Sequence, residues 1–287
     1  MGTPTTLQLA IQHYSDEQIC IDAVAKMRWA EGIPVCPSCG RKDHYYLKTQ
    51  RRWKCKECYK QFTVKLGTVF EDSPISLTKW LPALWMLCNC KNGISSYELS
   101  RDLGVSQKAG WFMLQRLRLA LQDGFFGSKL SGEVEVDETF IGGKVRATVV
   151  PNRKKHALQS EVYRHVEAGA ALYSDALKSY EGLAGEYAHE VIDHAVKYVD
   201  GRVHTNGLEN FWSLLKRGIA GTYVSVEPFH LFRYLDEQMF RFNNRKDESG
   251  KLLTDSDRFQ LALSQIAGKR LTFAEVTGKV AGSPANA

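Results

Sequence analysis

The stretch GEVEVDETFI, residues 132–141, decides the fold expected for the centre of the chain. Valines and acidic residues alternate along it, as in a strand with one buried and one polar face. A second strand-like stretch, AALYSD at 170–175, is mostly apolar until its last residue. Helical segments separate and follow these strands, so we predict an α/β fold with a mixed sheet. Each strand leads to an aspartate, Asp137 in the first and Asp175 in the second.

A third acid and a lysine lie in the helix-like segment HTNGLENFWSLLKRG. The acid is Glu209, and Lys216 follows seven residues later on nearly the same helix face. Mg²⁺ prefers oxygen ligands, and a pair of such ions can hold both the attacking and the leaving oxygen of a phosphoryl transfer. The pattern is typical of a two-metal site in which Asp137, Asp175 and Glu209 bind the metal and Lys216 binds phosphate.

Each of these residues also has an interpretation without catalysis. Asp175 has the position of an N-cap for the helix predicted after it, a frequent role of aspartate. Glu209 and Lys216 could form a solvated stripe on an amphipathic helix. Asn206 and Glu237 compete with Glu209 for the place of the third ligand.

Four of the seven cysteines form two Cys-x2-Cys pairs separated by fifteen residues. Two such pairs joined by a hairpin can place four thiolates tetrahedrally around a structural Zn²⁺. The spacing therefore predicts a zinc ribbon whose ligands are Cys36, Cys39, Cys55 and Cys58. Cys20, Cys88 and Cys90 lie in apolar helical surroundings, and we expect them to be buried and without a metal.

The segment from residue 41 to residue 65 is basic, with nine lysines and arginines against Asp43 and Glu57. Aromatic residues are interleaved with these cations, which favours a nucleic-acid surface over a plain solvated face. We expect DNA contacts from Arg51, Arg52 and Lys54.

A helix-turn-helix pattern follows the ribbon. A helix is predicted at 96–103, a turn at Gly104, and a second helix at 107–121 with Ser106 as its cap. In a DNA-binding arrangement the second helix enters the major groove. The expected DNA contacts are then Gln107, Lys108 and Arg116, whereas an ordinary helical hairpin on the core is the alternative.

The composition fits a cytoplasmic, nucleoid-associated protein. The net charge is +6, hydrophobic residues make up 44% of the chain and charged residues 24%. The N-terminus does not have the pattern of a signal peptide, and the longest apolar run is too short to span a bilayer. We expect no membrane partner.

Together these residues resemble the DDE transposases of bacterial insertion sequences, in the ISXO-type subgroup with an N-terminal zinc ribbon. The motifs that carry the resemblance are VDETFIGGK, LYSDALKSY, HTNGLENFWSLLKRGI and RYLDEQMFRFNNR. It implies an RNase H-like core with two Mg²⁺ or Mn²⁺ ions that nicks transposon ends and transfers the freed strand. It also implies double-stranded DNA as partner, as inverted repeats and as target, bound by a homo-oligomer.

The resemblance suggests four regions along the chain. Residues 1–72 would hold a helix and the zinc ribbon, and 73–127 the helix-turn-helix region. The RNase H-like domain would occupy 128–246, and a C-terminal helix and tail 247–287.

An RNase H-like core starts with three antiparallel strands, but the interval after Asp137 is short. Only KVRATVVPN, residues 144–152, has a strand-like pattern before the helix predicted from Lys154. We therefore expect one strand to be missing, with a junction near Gly143–Lys144. Because a misplacement of about 1 Å can cost on the order of a hundredfold in rate, we expect impaired catalysis. The alternative function is a non-catalytic zinc-ribbon protein that occupies element ends as a repressor.

Overall fold

The computed structural model forms two compact units. The first contains residues up to 122 together with those from 246 onward, and the second contains 123–245. The described residues are 3–29, 32–122, 129–131, 133–136, 139–142, 144–175, 177–192, 206–247 and 249–279. Within these ranges, no helix is long and apolar enough to cross a membrane.

The first unit is helical around a small sheet. Its helices are α1 (Leu7–His13), α2 (Glu17–Arg28), α3 (Leu77–Asn89), α4 (Ser96–Leu103), α5 (Gln107–Leu121), α9 (Asp255–Ser264) and α10 (Phe273–Val276). Helix α3 is the centre of this unit because it packs against α1, α2, α5 and α9. Its Trp80 and Trp85 are each 1% exposed, and the ring of Trp85 lies 5.2 Å from that of Phe259 in α9.

The small sheet has the strand order β1-β2-β3, all antiparallel. Its strands are β1 (His44–Leu47), β2 (Arg52–Cys55) and β3 (Gln61–Phe62). The Cys-x2-Cys pairs flank these strands, as the ribbon prediction requires. The N-terminal zinc-ribbon fold is therefore confirmed.

The structure confirms the two helices and the intervening turn that were predicted at 96–103, Gly104 and 107–121. Helix α4 ends at Gly104, whose φ of 60° is a conformation that glycine adopts without a steric penalty. Ser106 caps α5 by accepting a hydrogen bond from the Ala109 N–H at 3.2 Å. A Cβ at Gly110 would lie 3.0 Å from the Ser96 carbonyl oxygen, so a small residue lets α4 and α5 pack closely.

The second unit is built on a five-stranded mixed sheet of order β6-β5-β4-β7-β8. Strand β5 is antiparallel to both β4 and β6, while β7 is parallel to β4 and β8 is parallel to β7. This mixed α/β architecture is consistent with the RNase H-like core of a transposase. The elements are β4 (Glu133–Val136), β5 (Thr139–Gly142), β6 (Lys144–Ala147), α6 (Lys155–His165), β7 (Ala171–Asp175), β8 (Ala188–Ile192), α7 (Asn206–Gly218) and α8 (Leu231–Asn243).

Each face of this sheet has its own apolar core. On one face, Val134 and Val136 of β4 pack with Leu158 and Val162 of α6. The opposite face carries a core that joins β6 to α7 and α8, formed by Val145, Ala147, Phe211, Leu215 and Leu235. The sheet is thus a middle layer, with α6 on one side and α7 and α8 on the other.

The prediction that the sheet lacks a strand is wrong for the described structure. Three antiparallel strands precede α6, because Thr139–Gly142 forms the strand β5 between β4 and β6. In the sequence, Phe140 keeps the two-residue spacing of Val134 and Val136, which favours one continuous strand even though Asp137 and Glu138 interrupt the apolar pattern. A chain reversal after Val136 supplies the strand instead.

The connection between β5 and β6 is very short. Gly142 is the register partner of Lys144, so a single residue in the sequence, Gly143, joins the two paired positions. Two-residue turns are the shortest common hairpin connections. The junction expected from the sequence therefore falls at an unusually tight hairpin rather than at a missing strand.

Candidate metal and nucleic-acid sites

In the sequence, the two predicted aspartates come at the ends of two strands, β4 and β7, that are neighbours in the mixed sheet. Strands β4 and β7 are parallel, so their carboxyl ends lie at the same edge, and Val136 is the register partner of Ser174. In the sequence, Asp137 comes directly after Val136 and Asp175 directly after Ser174. Asp137 itself lies outside the described residues. Asp175 is the last residue of β7, and its backbone is paired with that of Ile192.

Strand register shows which face of the sheet α7 covers. Glu135 is opposite Ile141, and Ile141 is opposite Val145, so these three residues lie on one face. Val145 belongs to the core formed with α7. The described acid of β4, Glu135, therefore lies on the α7 face.

The predicted third acid lies in the first turns of α7, a helix that packs against β4 and β5. Glu209 and Lys216 are both exposed. Phe211 and Leu215, which lie between them in sequence, are buried in the core against β6. Asn206 is the first residue of α7, and its side chain is outside the described structure.

The alternative third ligand, Glu237 of α8, is already used by other side chains. It is 0% exposed, forms an ion pair with Arg241 and accepts a hydrogen bond from the Tyr223 hydroxyl. Although burial opposes the charge of Arg241, the nearby Glu237 raises the pKa of that guanidinium. Glu237 is thus a structural acid that ties the segment after α7 to α8. The i,i+4 spacing of Glu237 and Arg241 was a signal for this pair that the sequence analysis did not use.

Glu237→Ala should destabilise the protein because it leaves the Arg241 charge buried and without its main partner. Removing one member of a buried ion pair typically costs about 3–5 kcal/mol. We expect a loss of this size in the free energy of unfolding, measured by urea denaturation. Arg164→Ala is the control, because Arg164 pairs with Glu161 at 3.8 Å on the surface, and such pairs contribute less than about 1 kcal/mol. A Glu237→Ala variant as stable as the Arg164→Ala variant would contradict this role.

The four predicted zinc ligands converge in the ribbon. Their sulfur atoms all lie within 4.8 Å of one another. The Cys36–Cys58 and Cys39–Cys55 sulfur pairs are 3.6 Å and 3.5 Å apart. Four thiolates at about 2.3 Å from a tetrahedral Zn²⁺ would be roughly 3.8 Å apart. The donor set and spacing therefore fit a structural zinc ion.

Local hydrogen bonds favour the thiolate of Cys36, one member of this cluster. Burial acts against ionisation of the Cys36 thiol, but bonds from the backbone N–H groups of Ser38 and Cys39 lower its pKa to about 7. Outside the cluster, Cys20 and Cys88 are buried as predicted, and Cys90 is half-buried.

The basic residues predicted on the ribbon lie in its β1–β2 hairpin and on β2. Arg51 is exposed in the turn, with a left-handed φ of 48°. Arg52 is half-buried and donates to the Gln61 side-chain oxygen at 3.3 Å. The Lys54 Nζ lies 5.8 Å from the centre of the Tyr59 ring.

The three residues of α5 that were predicted to contact DNA differ in their exposure to solvent. Lys108 is exposed, with its Nζ 4.7 Å from the Phe273 ring centre. Gln107 is half-buried and donates to the Ser96 hydroxyl oxygen at 2.9 Å. Arg116 is only 3% exposed, so the prediction that it faces DNA is wrong.

Arg116 is buried because the core of the first unit uses it. Its guanidinium lies 5.5 Å from the Trp80 ring centre and 5.4 Å from that of Phe112. It also donates to the Glu71 carbonyl oxygen. Two aromatic rings and an acceptor thus replace the solvent that a DNA-contacting arginine would face.

Two family models match the chain in the regions described above. Residues 15–61 match the transposase zinc-ribbon domain, and residues 142–243 match the ISXO2-like transposase domain. In these two regions the chain is therefore similar to transposases with an N-terminal zinc ribbon. The second match includes Asp175, Glu209 and Lys216 and begins after Asp137.

The chain is also similar to an uncharacterized protein in transposable element ISH50 of Halobacterium salinarum. The two are 26% identical over 258 residues, which covers 74% of this chain and 86% of the relative. No solved structure matches the chain significantly.

Proposed function

We propose that this protein is the transposase of an insertion sequence, which binds the element's ends and catalyses DNA strand cleavage and transfer. The observation that carries the proposal is the register of β4 and β7, in which Val136 is the partner of Ser174. The proposal takes the residues that follow in sequence, Asp137 and Asp175, as neighbours at one edge of the sheet. Carboxylates at the carboxyl ends of neighbouring strands are suitable ligands for divalent metal ions.

Glu209 is the third ligand in this proposal. Asp137 comes two positions after Glu135 in the sequence, so strand alternation favours the α7 face for Asp137 as well. Glu209 is exposed on α7, which packs against β4. All three ligands would supply oxygen atoms, which fits Mg²⁺ or Mn²⁺. When bound, such ions stabilise the attacking and leaving oxygens of the phosphoryl transfer.

Lys216 would hold a phosphate of the DNA backbone. It is exposed and lies two helical turns after Glu209, so both side chains project from nearly the same face of α7. An ammonium group at this position neutralises phosphate without binding the metal ions. The lysine would thus position the DNA strand that is cleaved at the site formed by the carboxylates.

Recognition of double-stranded DNA is assigned to the first unit. Arg51 in the ribbon and Lys108 on α5 are exposed cations, and Arg52, Lys54 and Gln107 are half-buried polar residues beside them in sequence. Contacts to phosphates give salt-sensitive affinity. Because both ends of an element must be cut and joined, we expect a homo-oligomer on DNA.

The test is a strand-cleavage assay with purified zinc-loaded protein, Mg²⁺ or Mn²⁺, and a duplex that carries the element's terminal repeats. We expect nicks at the repeat ends, and joined strands when a target duplex is added. Nicks without joined products would indicate a nuclease. Binding without any nick would favour the repressor described next.

The alternative is a non-catalytic DNA-binding protein that occupies transposon ends. One observation favours it: the match to the transposase domain begins only at residue 142 and so leaves out Asp137. Under this alternative the protein binds the repeats tightly but neither binds Mn²⁺ at the sheet edge nor cuts DNA.

A further inference from the structure

The ribbon sheet has an inner face that is fully used for packing within the first unit. Trp53 and Phe62 stack with their ring centres 5.9 Å apart, and Trp29 at the end of α2 lies 5.4 Å from Trp53. Tyr46 lies 5.1 Å from Trp53, and its hydroxyl donates to the Gln18 side-chain oxygen at 2.7 Å. These aromatic rings therefore pack against one another and against the end of α2 on the inner face.

The outer face of the same sheet carries residues of a different kind. Tyr45 is opposite Lys54, and Lys54 is opposite Gln61, so these three residues lie side by side across the strands. Arg52 lies on the same face, two residues before Lys54 in β2. Tyr45 is 56% exposed although it is in a strand. The outer face thus presents an aromatic ring among cations to solvent.

A second exposed ring borders this face. Tyr59, between the second cysteine pair and β3, is 70% exposed and has a left-handed φ of 57°. The Lys54 Nζ lies 5.8 Å from its ring centre, and the Lys56 Nζ lies 5.0 Å from that of Tyr45. Lys56 is held there by an ion pair with Asp43 at 2.7 Å. Each exposed tyrosine therefore has a lysine beside it.

We propose that this outer face, formed by Tyr45, Arg52, Lys54, Lys56 and Tyr59, binds unpaired bases of DNA. The proposal rests on the proposed function, since it assumes that DNA is the partner. Exposed aromatic rings beside cations are the arrangement that single-stranded nucleic acid requires, with bases stacked on rings and phosphates near the positive charges. The bases of an intact duplex already stack on one another, so their faces are not accessible to these rings.

The inner face of the ribbon sheet packs within the first unit, whereas the rings of the outer face are exposed. Packing therefore does not account for the exposed rings. An exposed tyrosine ring on a small sheet contributes little to packing, and the inner face already has three ribbon aromatics in contact, Tyr46, Trp53 and Phe62. The excess of basic residues between 41 and 65 makes an anionic partner more suitable than an apolar one. An acidic polypeptide shares the charge but has no flat bases to stack.

The test compares two labelled DNA probes by fluorescence anisotropy with full-length, zinc-loaded protein. One probe is a plain duplex, and the other is the same duplex with a short single-stranded tail. We expect the wild-type protein to bind the tailed probe more tightly. In the double variant Tyr45→Thr, Tyr59→Asn, this preference should fall about tenfold or more, as expected from the loss of base stacking.

These substitutions preserve the local backbone, since threonine favours strands and asparagine tolerates the left-handed conformation. The double variant Tyr45→Phe, Tyr59→Phe keeps both rings and should keep the preference. Tyr163→Ala is the matched control, because Tyr163 is also a partly exposed tyrosine but lies on α6. It should bind both probes as the wild type does. Zinc content and melting temperature verify that each variant is folded.

Equal affinity of the wild-type protein for the two probes would overturn the proposal, and so would a Thr/Asn variant that keeps the preference. In either case duplex binding would remain, so the proposed function would stand. Failure of the wild-type protein to bind either probe would instead contradict the proposed function. Displacement of the tailed probe by polyglutamate as readily as by a single-stranded oligonucleotide would assign the surface to acidic polypeptides and would also overturn the proposal.

Discussion

Asp175→Asn is expected to lower the rate of DNA strand cleavage by about a thousandfold while leaving DNA binding unchanged. In the proposed site this carboxylate binds divalent metal, and an asparagine supplies only a neutral oxygen with weaker affinity. Metal ions contribute several kcal/mol of transition-state stabilisation, and each 1.36 kcal/mol is about tenfold in rate. Asp137→Asn should have an effect of the same size. The measurement is the single-turnover nicking rate on a duplex with the terminal repeats.

The control for both variants is Glu190→Gln. Glu190 is an exposed acid on β8, in the same sheet as Asp175 but two residues before the end of its strand. Its replacement should leave the nicking rate within about twofold of wild type, as for a surface site away from the metal. If Glu190→Gln were as slow as Asp175→Asn, the loss would reflect damage to the sheet rather than the loss of a ligand.

Removal of zinc is expected to unfold the ribbon and to abolish specific binding to the repeats. Structural zinc contributes about 10–16 kcal/mol in small zinc-binding domains, far more than a three-stranded sheet of this size could contribute alone. Cys36→Ser removes one of the four clustered sulfurs and should have a similar effect. Circular dichroism and anisotropy with a repeat duplex, before and after a chelator, would measure both losses.

A cysteine outside the cluster provides the control for this experiment. Cys90 is half-buried at the C-terminal end of α3, and it does not belong to the four-sulfur cluster. Cys90→Ser should retain one zinc ion per chain and bind the repeats as the wild type does. A Cys36→Ser protein with full zinc content and unchanged affinity would show that the cluster is not the zinc site.

Local signals were sufficient to predict the ribbon and the helix-turn-helix elements. The cysteine spacing predicts the ribbon because two Cys-x2-Cys pairs joined by a hairpin can bring four sulfurs around one zinc ion. Gly104 and Ser106 fix the end of α4 and the start of α5, since one permits a left-handed backbone and the other caps a helix. These features depend on residues that are close in sequence.

Features that depend on distant contacts were not predicted correctly. Arg116 has the sequence context of an exposed recognition-helix residue, yet Trp80 and Phe112 enclose it. Strand β5 is not evident from the sequence because Phe140 keeps the two-residue spacing of Val134 and Val136, although Asp137 is a residue type common in turns. In both cases tertiary packing overrides the local pattern.

At the start of α2, the N-cap that the sequence suggests and the N-cap in the structure differ by one position. Ser15 and Gln18 have the sequence spacing of a capping box, whereas Asp16 is the N-cap in the structure. The Asp16 carboxylate accepts hydrogen bonds from the Gln18 and Ile19 N–H groups at 2.6 and 3.2 Å. Aspartate and serine are about equally good caps, so the sequence alone does not choose between adjacent candidates.

The central claim is that Asp137 and Asp175 jointly hold divalent metal at one edge of the sheet. The most direct measurement is a titration of the zinc-loaded protein with Mn²⁺, in which the electron paramagnetic resonance signal reports the concentration of free Mn²⁺. The wild-type protein should bind Mn²⁺, and Asp137→Asn and Asp175→Asn should each lose most of that binding while the Glu190→Gln control keeps it. Wild-type binding that survives in both aspartate variants, or a wild-type protein that binds no Mn²⁺, would contradict the claim.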